Sequence, residues 1–279
     1  MDVKMRRNNM DDDSARGKKV TQTGCKFSYT DAATITMTPN GHDSKATVIV
    51  KSGNNINTII LTSALTCALT TSGAGGLDTG AEANSKGYYV FLITNPRGQS
   101  PKLLCSLSET SPTLPSGYTF CSTPIWFISN NSSGDIMKFI DVNGTCFYNN
   151  VVGEGVVLNN GLVYGASWAV IDLSPLMPNN SVGMFMSRVR PKKTTGTWNN
   201  IRIHTNNTDA TESSFFSIYH TWLIRASKYG SQTQHMAWKF PIGANAATSM
   251  YYKWDNNPGS GSGSYPPVVQ IYARGWRLQ

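Results

Sequence analysis

The feature that most constrains this sequence is a succession of short runs rich in β-branched and aromatic residues, separated by Gly, Asn and Pro turns. No segment shows the i, i+3, i+4, i+7 apolar spacing of an amphipathic helix, so we expect at most one short helix. Roughly a dozen strands joined by turns are typical of a sandwich or a jelly roll. The sequence therefore predicts an all-β protein with a jelly-roll-like antiparallel β-sandwich and an extended N-terminal arm. The clearest runs span residues 46–51, 59–61, 88–94, 125–128, 168–172, 183–189, 201–204, 214–218, 221–225, 250–254 and 268–273.

Charged residues make up only 14% of the chain, against roughly 25% in an average soluble domain. Gly, Ser, Thr and Asn take their place, and these residues favour turns and strand edges over helix interiors. The pair Asn143-Gly144, for example, predicts a tight hairpin turn with positive φ. The sequence contains no run of about 20 apolar residues that would predict a transmembrane helix, so we expect no membrane insertion.

The N-terminal residues differ from the rest, and we assign residues 1–22 as a basic arm and residues 23–279 as a β-sandwich domain. The arm lacks the apolar segment of a secretory signal, so we expect a protein made in a cytosol and kept or assembled there. Free in solution, such a segment should be disordered. We expect neighbouring subunits of an assembly to hold it, the alternative being packing along its own domain. Its basic residues are Lys4, Arg6, Arg7, Arg16, Lys18 and Lys19.

The net charge of +8 points to nucleic acid as a partner to consider. The basic residues are scattered along the chain, however, and such charge is usually a solvated face. We therefore do not expect nucleic acid to be the partner, and docking on an acidic protein surface is the alternative use of the charge.

The five cysteines are widely spaced and include no C-x-x-C pair. A structural zinc site needs close pairs of ligands, and a disulfide scaffold is shorter and richer in cysteine. The sequence thus predicts reduced thiols that act as small buried hydrophobes, with no metal and no cofactor.

Catalytic signatures are missing from the sequence. A glycosidase needs two carboxylates that flank the scissile bond, and half of the acidic residues outside the arm lie next to Gly, Asn or Ser, where turn capping explains them. No G-x-S-x-G elbow, P-loop or H-E-x-x-H motif occurs, and the four histidines are isolated. We predict that the protein is not an enzyme and assign no catalytic or metal-binding residue.

Aromatic residues of the C-terminal third are the better candidates for recognition. Exposed rings stack on sugars or anchor protein interfaces. Trp198 lies among Thr, Gly and Asn residues, so we expect it in a polar loop with its ring exposed. We take Trp198, Tyr229 and Trp254 as candidate surface-recognition residues, with core packing between two sheets as the alternative for each.

The most specific motifs of the chain are GGLDTG at residues 75–80 and SPTLPSGYT at residues 111–119, with an aromatic strand between them. In the second motif, Pro112 and Pro115 fix φ and Gly117 permits a sharp turn. Together the two motifs resemble a domain that recurs in bacteriophage virion proteins labelled as tail-fibre or structural proteins.

Weaker similarities at residues 172–178, 250–254 and 271–276 extend this resemblance over most of residues 70–279. Relatives tend to follow the second motif with an arginine-rich strand, whereas residues 120–128 here read FCSTPIWFI. The resemblance therefore implies a particle component, but no role for a basic strand at that position.

Taken with the arm, the resemblance implies a virion protein assembled in the host cytoplasm. We expect a compact tail-fibre, adaptor or capsid-decoration subunit that docks by its N-terminal arm and projects the β-sandwich. The implied partners are other virion proteins of the capsid or tail and further copies of the chain, a trimer being one arrangement. The alternative is a carbohydrate-binding protein that recognises a host-surface glycan through its aromatic residues.

Overall fold

The computed structural model of the protein describes residues 22–149, 156–160, 169–179, 181–190, 198–204, 220–225, 234–242, 249–254 and 268–278. Three features predicted from the sequence lie outside these ranges: the basic residues of the arm, the run at 214–218 and Tyr229. The first strand begins at Gln22, the last residue assigned to the arm.

The regular secondary structure of the described residues consists almost entirely of strands. Among these residues the single helix is the three-residue 3-10 helix His42–Ser44, as expected from the lack of helical periodicity. Every predicted run within the described residues overlaps a strand. The strands are β1 (Gln22–Thr23), β2 (Cys25–Tyr29), β3 (Thr34–Pro39), β4 (Ala46–Ser52), β5 (Asn55–Leu61), β6 (Leu65–Ala68), β7 (Gly87–Thr94), β8 (Lys102–Ser106), β9 (Phe120–Cys121), β10 (Trp126–Ser129), β11 (Phe139–Val142), β12 (Thr145–Tyr148), β13 (Val156–Asn160), β14 (Ala169–Asp172), β15 (Ser181–Arg190), β16 (Trp198–His204), β17 (His220–Arg225), β18 (Gln234–Ile242), β19 (Ser249–Trp254) and β20 (Val268–Leu278).

Hydrogen bonds join the strands of the described residues into three sheets, of seven, nine and four strands. In the seven-stranded sheet the order is β1-β4-β9-β7-β10, with β5 beside β4 and β8 beside β7. In the nine-stranded sheet the order is β18-β15-β20-β12-β11-β2-β3-β6, with β13 beside β20. The four-stranded sheet has the order β14-β19-β16-β17. Antiparallel sheets pack together as a sandwich, which confirms the all-β sandwich predicted from the sequence.

The chain forms two compact units, each assembled from several segments. The first contains Thr34–Ala81 and Tyr89–Trp126, together with the described residues up to Phe27. In its core the rings of Phe27 and Trp126 stack, with centroids 4.8 Å apart and planes inclined by 10°. Such a pair contributes about 0.5–1.5 kcal/mol beyond the burial of the two rings.

The second unit contains Ser28–Ala33, Glu82–Tyr88 and the described residues from Phe127 onward. In its core the rings of Phe127 and Trp276 meet edge to face, with centroids 6.0 Å apart at 87°. This geometry sets the positive edge of one ring against the negative face of the other, which is a favoured aromatic arrangement.

The hydroxyl of Tyr148 is buried in the second unit. It donates to the backbone carbonyl of Leu176 and lies 2.8 Å from the Ser129 hydroxyl, which is then the donor to Tyr148. A buried hydroxyl without such partners would destabilise the fold. Burial also raises the pKa of the Tyr148 phenol.

A two-residue turn joins β11 to β12. Asn143 has a φ of 53° and Gly144 a φ of 75°, the positive values that the sequence predicted for this pair. The Gly144 N–H donates to the Asp141 carboxylate over 2.9 Å, so a side chain also braces the turn. The turn sets the register of the hairpin, which begins with Val142 opposite Thr145.

All five cysteines are free thiols. Cys67, Cys105 and Cys146 are buried, as the sequence predicted, whereas Cys25 and Cys121 are only partly buried. The buried sulfur atoms of Cys67 and Cys105 lie 3.0 Å apart, and this contact, with burial, raises the pKa of Cys105 well above its ordinary value. Burial raises the pKa of Cys121 to about 12. Burial and the nearby Asp141 carboxylate raise that of Cys146.

We expect the protein to lose stability as the pH rises above about 9. An unfolded cysteine ionises near pH 8.5, whereas folded Cys121 keeps its proton up to a pH of about 12. Between these values the folded state binds more protons than the unfolded state, so the free energy of unfolding falls as the pH rises. Urea unfolding at increasing pH measures this decline. Cys121→Ala should make this decline shallower, and an unchanged decline in that variant would contradict the role of the Cys121 thiol.

Candidate assembly surface

Two of the three predicted recognition residues lie in the four-stranded sheet. Trp198 opposes Arg225 and begins β16, because the ladder with β17 extends through the polar residues that follow it. The expected polar loop at Trp198 is therefore replaced by a strand. Trp254 ends β19 and opposes Ile201. The two tryptophans therefore lie in the same sheet but are not cross-strand partners. Tyr229 and the six basic residues of the arm lie outside the described residues.

Two other aromatic residues of the C-terminal third belong to the core. Trp276 and Tyr272, both in β20, are buried. For these two rings, core packing is the explanation of their presence, and neither is available to a ligand at the surface.

The loop that carries the GGLDTG motif has no room for a side chain at Gly76. The Leu77 N–H donates to the Thr71 carbonyl over 2.8 Å, and the Leu77 carbonyl accepts from Gly73 over 2.7 Å. A Cβ on Gly76 would lie 2.2 Å from the Thr71 carbonyl oxygen, so only glycine fits there. The buried side chain of Leu77 anchors the loop in the first unit.

The Asp78 carboxylate joins the two sequence motifs. One oxygen accepts from the Ser106 hydroxyl over 2.7 Å and from the Thr113 N–H over 3.0 Å. The other accepts from the Thr79 N–H over 2.7 Å. Because Thr113 belongs to SPTLPSGYT, the carboxylate ties together the segments on which the resemblance rests.

The SPTLPSGYT segment also packs against the seven-stranded sheet. Its side chains Leu114 and Tyr118 cover a buried cluster formed by Phe91, Ile93 and Leu104 of β7 and β8. In the described residues, both motifs therefore act structurally, by closing one side of the first unit.

A cluster of large apolar side chains is exposed on the hairpin of β11 and β12. Ile140 is 51% exposed, Val142 50% and Phe147 37%. Ile140 and Val142 are two residues apart on one strand, and Ile140 lies directly opposite Phe147. The three side chains therefore share one face of the sheet, which we call the β11–β12 face.

Two cations flank the β11–β12 face. Arg277 is exposed on β20 and opposes Thr145. Lys138, just before β11, holds its ammonium 5.7 Å from the centre of the Tyr29 ring, a cation–π contact that orients the lysine. The face thus combines an apolar centre with positive charge at its sides.

On β20, Gly275 opposes Phe147, so the neighbouring strand places no side chain beside the phenyl ring. A Cβ at this glycine would lie 1.9 Å from the Cys146 carbonyl oxygen. The close approach of β12 and β20 therefore requires glycine, and it leaves the flank of Phe147 open.

The opposite side of the same hairpin is buried, which makes the β11–β12 face a supported surface. Phe139, Cys146 and Tyr148 belong to the core, and Asp141 is buried while it braces the turn. Sequence reasoning missed the face because the segment FIDVNGTCFY has apolar residues on both sides, with its charged residue turned inward. The Asn143-Gly144 turn was the signal that fixes the register and could have identified it.

Within the described residues, no group of three or more His, Cys, Asp or Glu side chains is placed to hold a metal ion. The same part of the chain has no helix that is long and apolar enough to cross a membrane. In comparisons with known proteins, the sequence matches no family model and no curated protein.

We expect Asp78 and Ser106 to be coupled in a double-mutant cycle. Asp78→Ala removes the hydrogen bond from Thr113, which joins the two motifs, and the hydrogen bond from Ser106 of β8, and it should lower the free energy of unfolding by about 2–3 kcal/mol. In that background Ser106→Ala should cost much less than it does alone, giving a coupling of about 1–2 kcal/mol. Urea unfolding of the four proteins measures the cycle.

The control for this cycle is Asp172→Ala, which removes a single local contact with the Ser174 N–H. It should cost about 1 kcal/mol or less and show no coupling to Ser106. Strictly additive effects of Asp78→Ala and Ser106→Ala would contradict the hydrogen bond by which Asp78 holds its loop to β8.

Proposed function

We propose that this protein is a structural subunit of a bacteriophage virion, either a compact tail-fibre or adaptor subunit or a capsid-decoration subunit. The motif resemblance supports the proposal, since Asp78 ties its two main segments into one unit. Under this proposal the protein is assembled in the host cytoplasm, resides in the virion and performs no reaction.

The β11–β12 face carries the proposal. Large apolar side chains exposed together on a supported hairpin are typical of a surface that another protein covers. Lys138 and Arg277 at its sides favour a partner with acidic residues around an apolar centre. The partner is therefore a neighbouring virion protein, of the capsid or tail, whose surface has that pattern.

The basic arm supplies a second contact. The composition of residues 1–22 predicts a segment that orders only on docking. Joining arm and face in one chain makes the second contact intramolecular, so two weak contacts give tight attachment. Symmetric copies in a particle multiply the effect further.

A carbohydrate-binding protein for host-surface glycans is the alternative function. It draws on Trp198 and Trp254, which lie in the neighbouring strands β16 and β19. Glycan arrays probed with the purified protein separate the two functions. Glycan binding that is abolished by Trp198→Ala would support glycan recognition. A protein that is present in particles but binds no glycan would support the structural role.

We expect Phe147→Glu to keep the protein out of particles without unfolding it. The phenyl ring is 37% exposed, so the substitution places a carboxylate in the apolar face and leaves the core intact. Immunoblotting of particles purified from cells that make the variant measures its incorporation. We expect a loss of about tenfold or more, as for a central interface residue, while thermal unfolding of the isolated protein stays unchanged.

Val170→Glu is the matched control, because Val170 is 59% exposed on β14 and is not part of the β11–β12 face. This variant should enter particles normally. Equal incorporation of both variants would overturn the role of the face. Particles that lack the protein altogether would overturn the virion proposal itself.

A further inference from the structure

Strand β5 has an open edge among the described residues. It pairs with β4 from Asn55 opposite Ser52 to Leu61 opposite Ala46, and no other described strand lies beside it. An edge strand offers unpaired backbone groups to another chain, and proteins commonly protect such edges with lysine, proline or a bulge. Asn55–Leu61 contains no charged residue and no proline, so this edge lacks the usual protection.

The turn between β4 and β5 indicates which backbone groups point outward. Ser52 and Asn55 flank a two-residue turn. Residues that flank such a turn form a hydrogen-bonded pair, and alternate residues along the strand then point toward the partner strand. The N–H and C=O groups of Ile56, Thr58 and Ile60 therefore point away from β4, toward the open edge.

The side chains of the same three residues are exposed. Ile56 is 56% exposed and Ile60 64%, and Thr58 lies between them, also exposed. The alternate residues Ile59 and Leu61 are buried, so the strand is held in place from its inner side. The exposed pattern is symmetric, with one isoleucine two residues before Thr58 and one two residues after it.

We infer that β5 pairs with β5 of a second copy of this protein, antiparallel and centred on Thr58. In this register Thr58 opposes the same residue of the second copy, and Ile56 of each copy opposes Ile60 of the other. Each pair exchanges two backbone hydrogen bonds, so every outward-pointing group from Ile56 to Ile60 gains a partner. Apolar cross-strand pairs stabilise the contact, and the uncharged strand lets two chains of net charge +8 meet without like charges between the paired strands.

The contact is small, so the dimer is weak and depends on concentration. One strand from each copy supplies fewer residues than the roughly 20–30 per side of a standard stable interface. Repetition in a symmetric particle would strengthen it. The pairing does not depend on the function proposed above, because it rests on the edge of β5 alone.

Substitutions of Thr58 test the pairing directly, because this exposed residue opposes itself across the two-fold axis. Sedimentation of the full-length protein over about a hundredfold range of concentration measures dimerisation. Thr58→Lys places two like charges directly opposite each other and should raise the Kd about tenfold or more. Thr58→Glu should do the same. An equimolar mixture of the two variants should restore the dimer, because the opposing charges then attract.

Leu107→Lys is the control, since Leu107 is 59% exposed and lies outside β5. It should leave dimerisation unchanged. The inference is overturned by a monomer at every concentration, by a dimer or trimer that survives Thr58→Lys, or by a mixture of the charged variants that stays monomeric. Association that survives Thr58→Lys but is lost on removal of residues 1–21, which precede β1, would assign the contact to the arm. Particle incorporation plays no part in these measurements, so they fail or succeed independently of the virion proposal.

Discussion

The register of the β11–β12 hairpin is the constraint on which both the core and the exposed surface of the second unit depend. Side chains alternate along a strand, so a shift of one residue exchanges the buried and exposed sets. Such a shift would bury Ile140 and expose Phe139 to water. Two consecutive positive φ values at Asn143-Gly144 and the brace from Asp141 hold the observed register. A buried aromatic cluster and an exposed apolar face are thus two results of one turn.

Strands were predictable from the sequence where β-branched and aromatic residues dominate a run, as in β4 and β7. Strands such as β3 and β12 carry more polar residues, and their pairing partners decide their conformation; β12 pairs with β20, from the far end of the chain. The same limit applies to the candidate surface. Ile140 and Phe147 look like core residues in the sequence, while Trp276 looks like a recognition residue and is buried. The exposed and the buried residues differ in the face of the sheet on which each side chain lies, and the pattern of a single sequence does not reveal that face.

The residue types in the two most specific motifs of the sequence are explained by close backbone packing and by hydrogen bonds to backbone groups. Gly76 is required because its neighbour across the loop leaves no space for a Cβ. Asp78 is required because donors from the neighbouring Thr79, from Ser106 of β8 and from Thr113 converge on its carboxylate. Short motifs with glycine and aspartate are often assigned to catalysis or ligand binding. Here these residues close a loop over a sheet, and the surface that we propose for assembly lies elsewhere, on residues that belong to no motif.

The two compact units are interleaved along the chain. Ser28–Ala33 and Glu82–Tyr88 belong to the second unit although the residues around them belong to the first. During synthesis these two segments leave the ribosome well before the remainder of their unit, which begins at Phe127 and closes with β20. Neither unit corresponds to a continuous stretch of gene. Recombination that exchanged the continuous stretch up to residue 126 would therefore also remove two segments of the second unit.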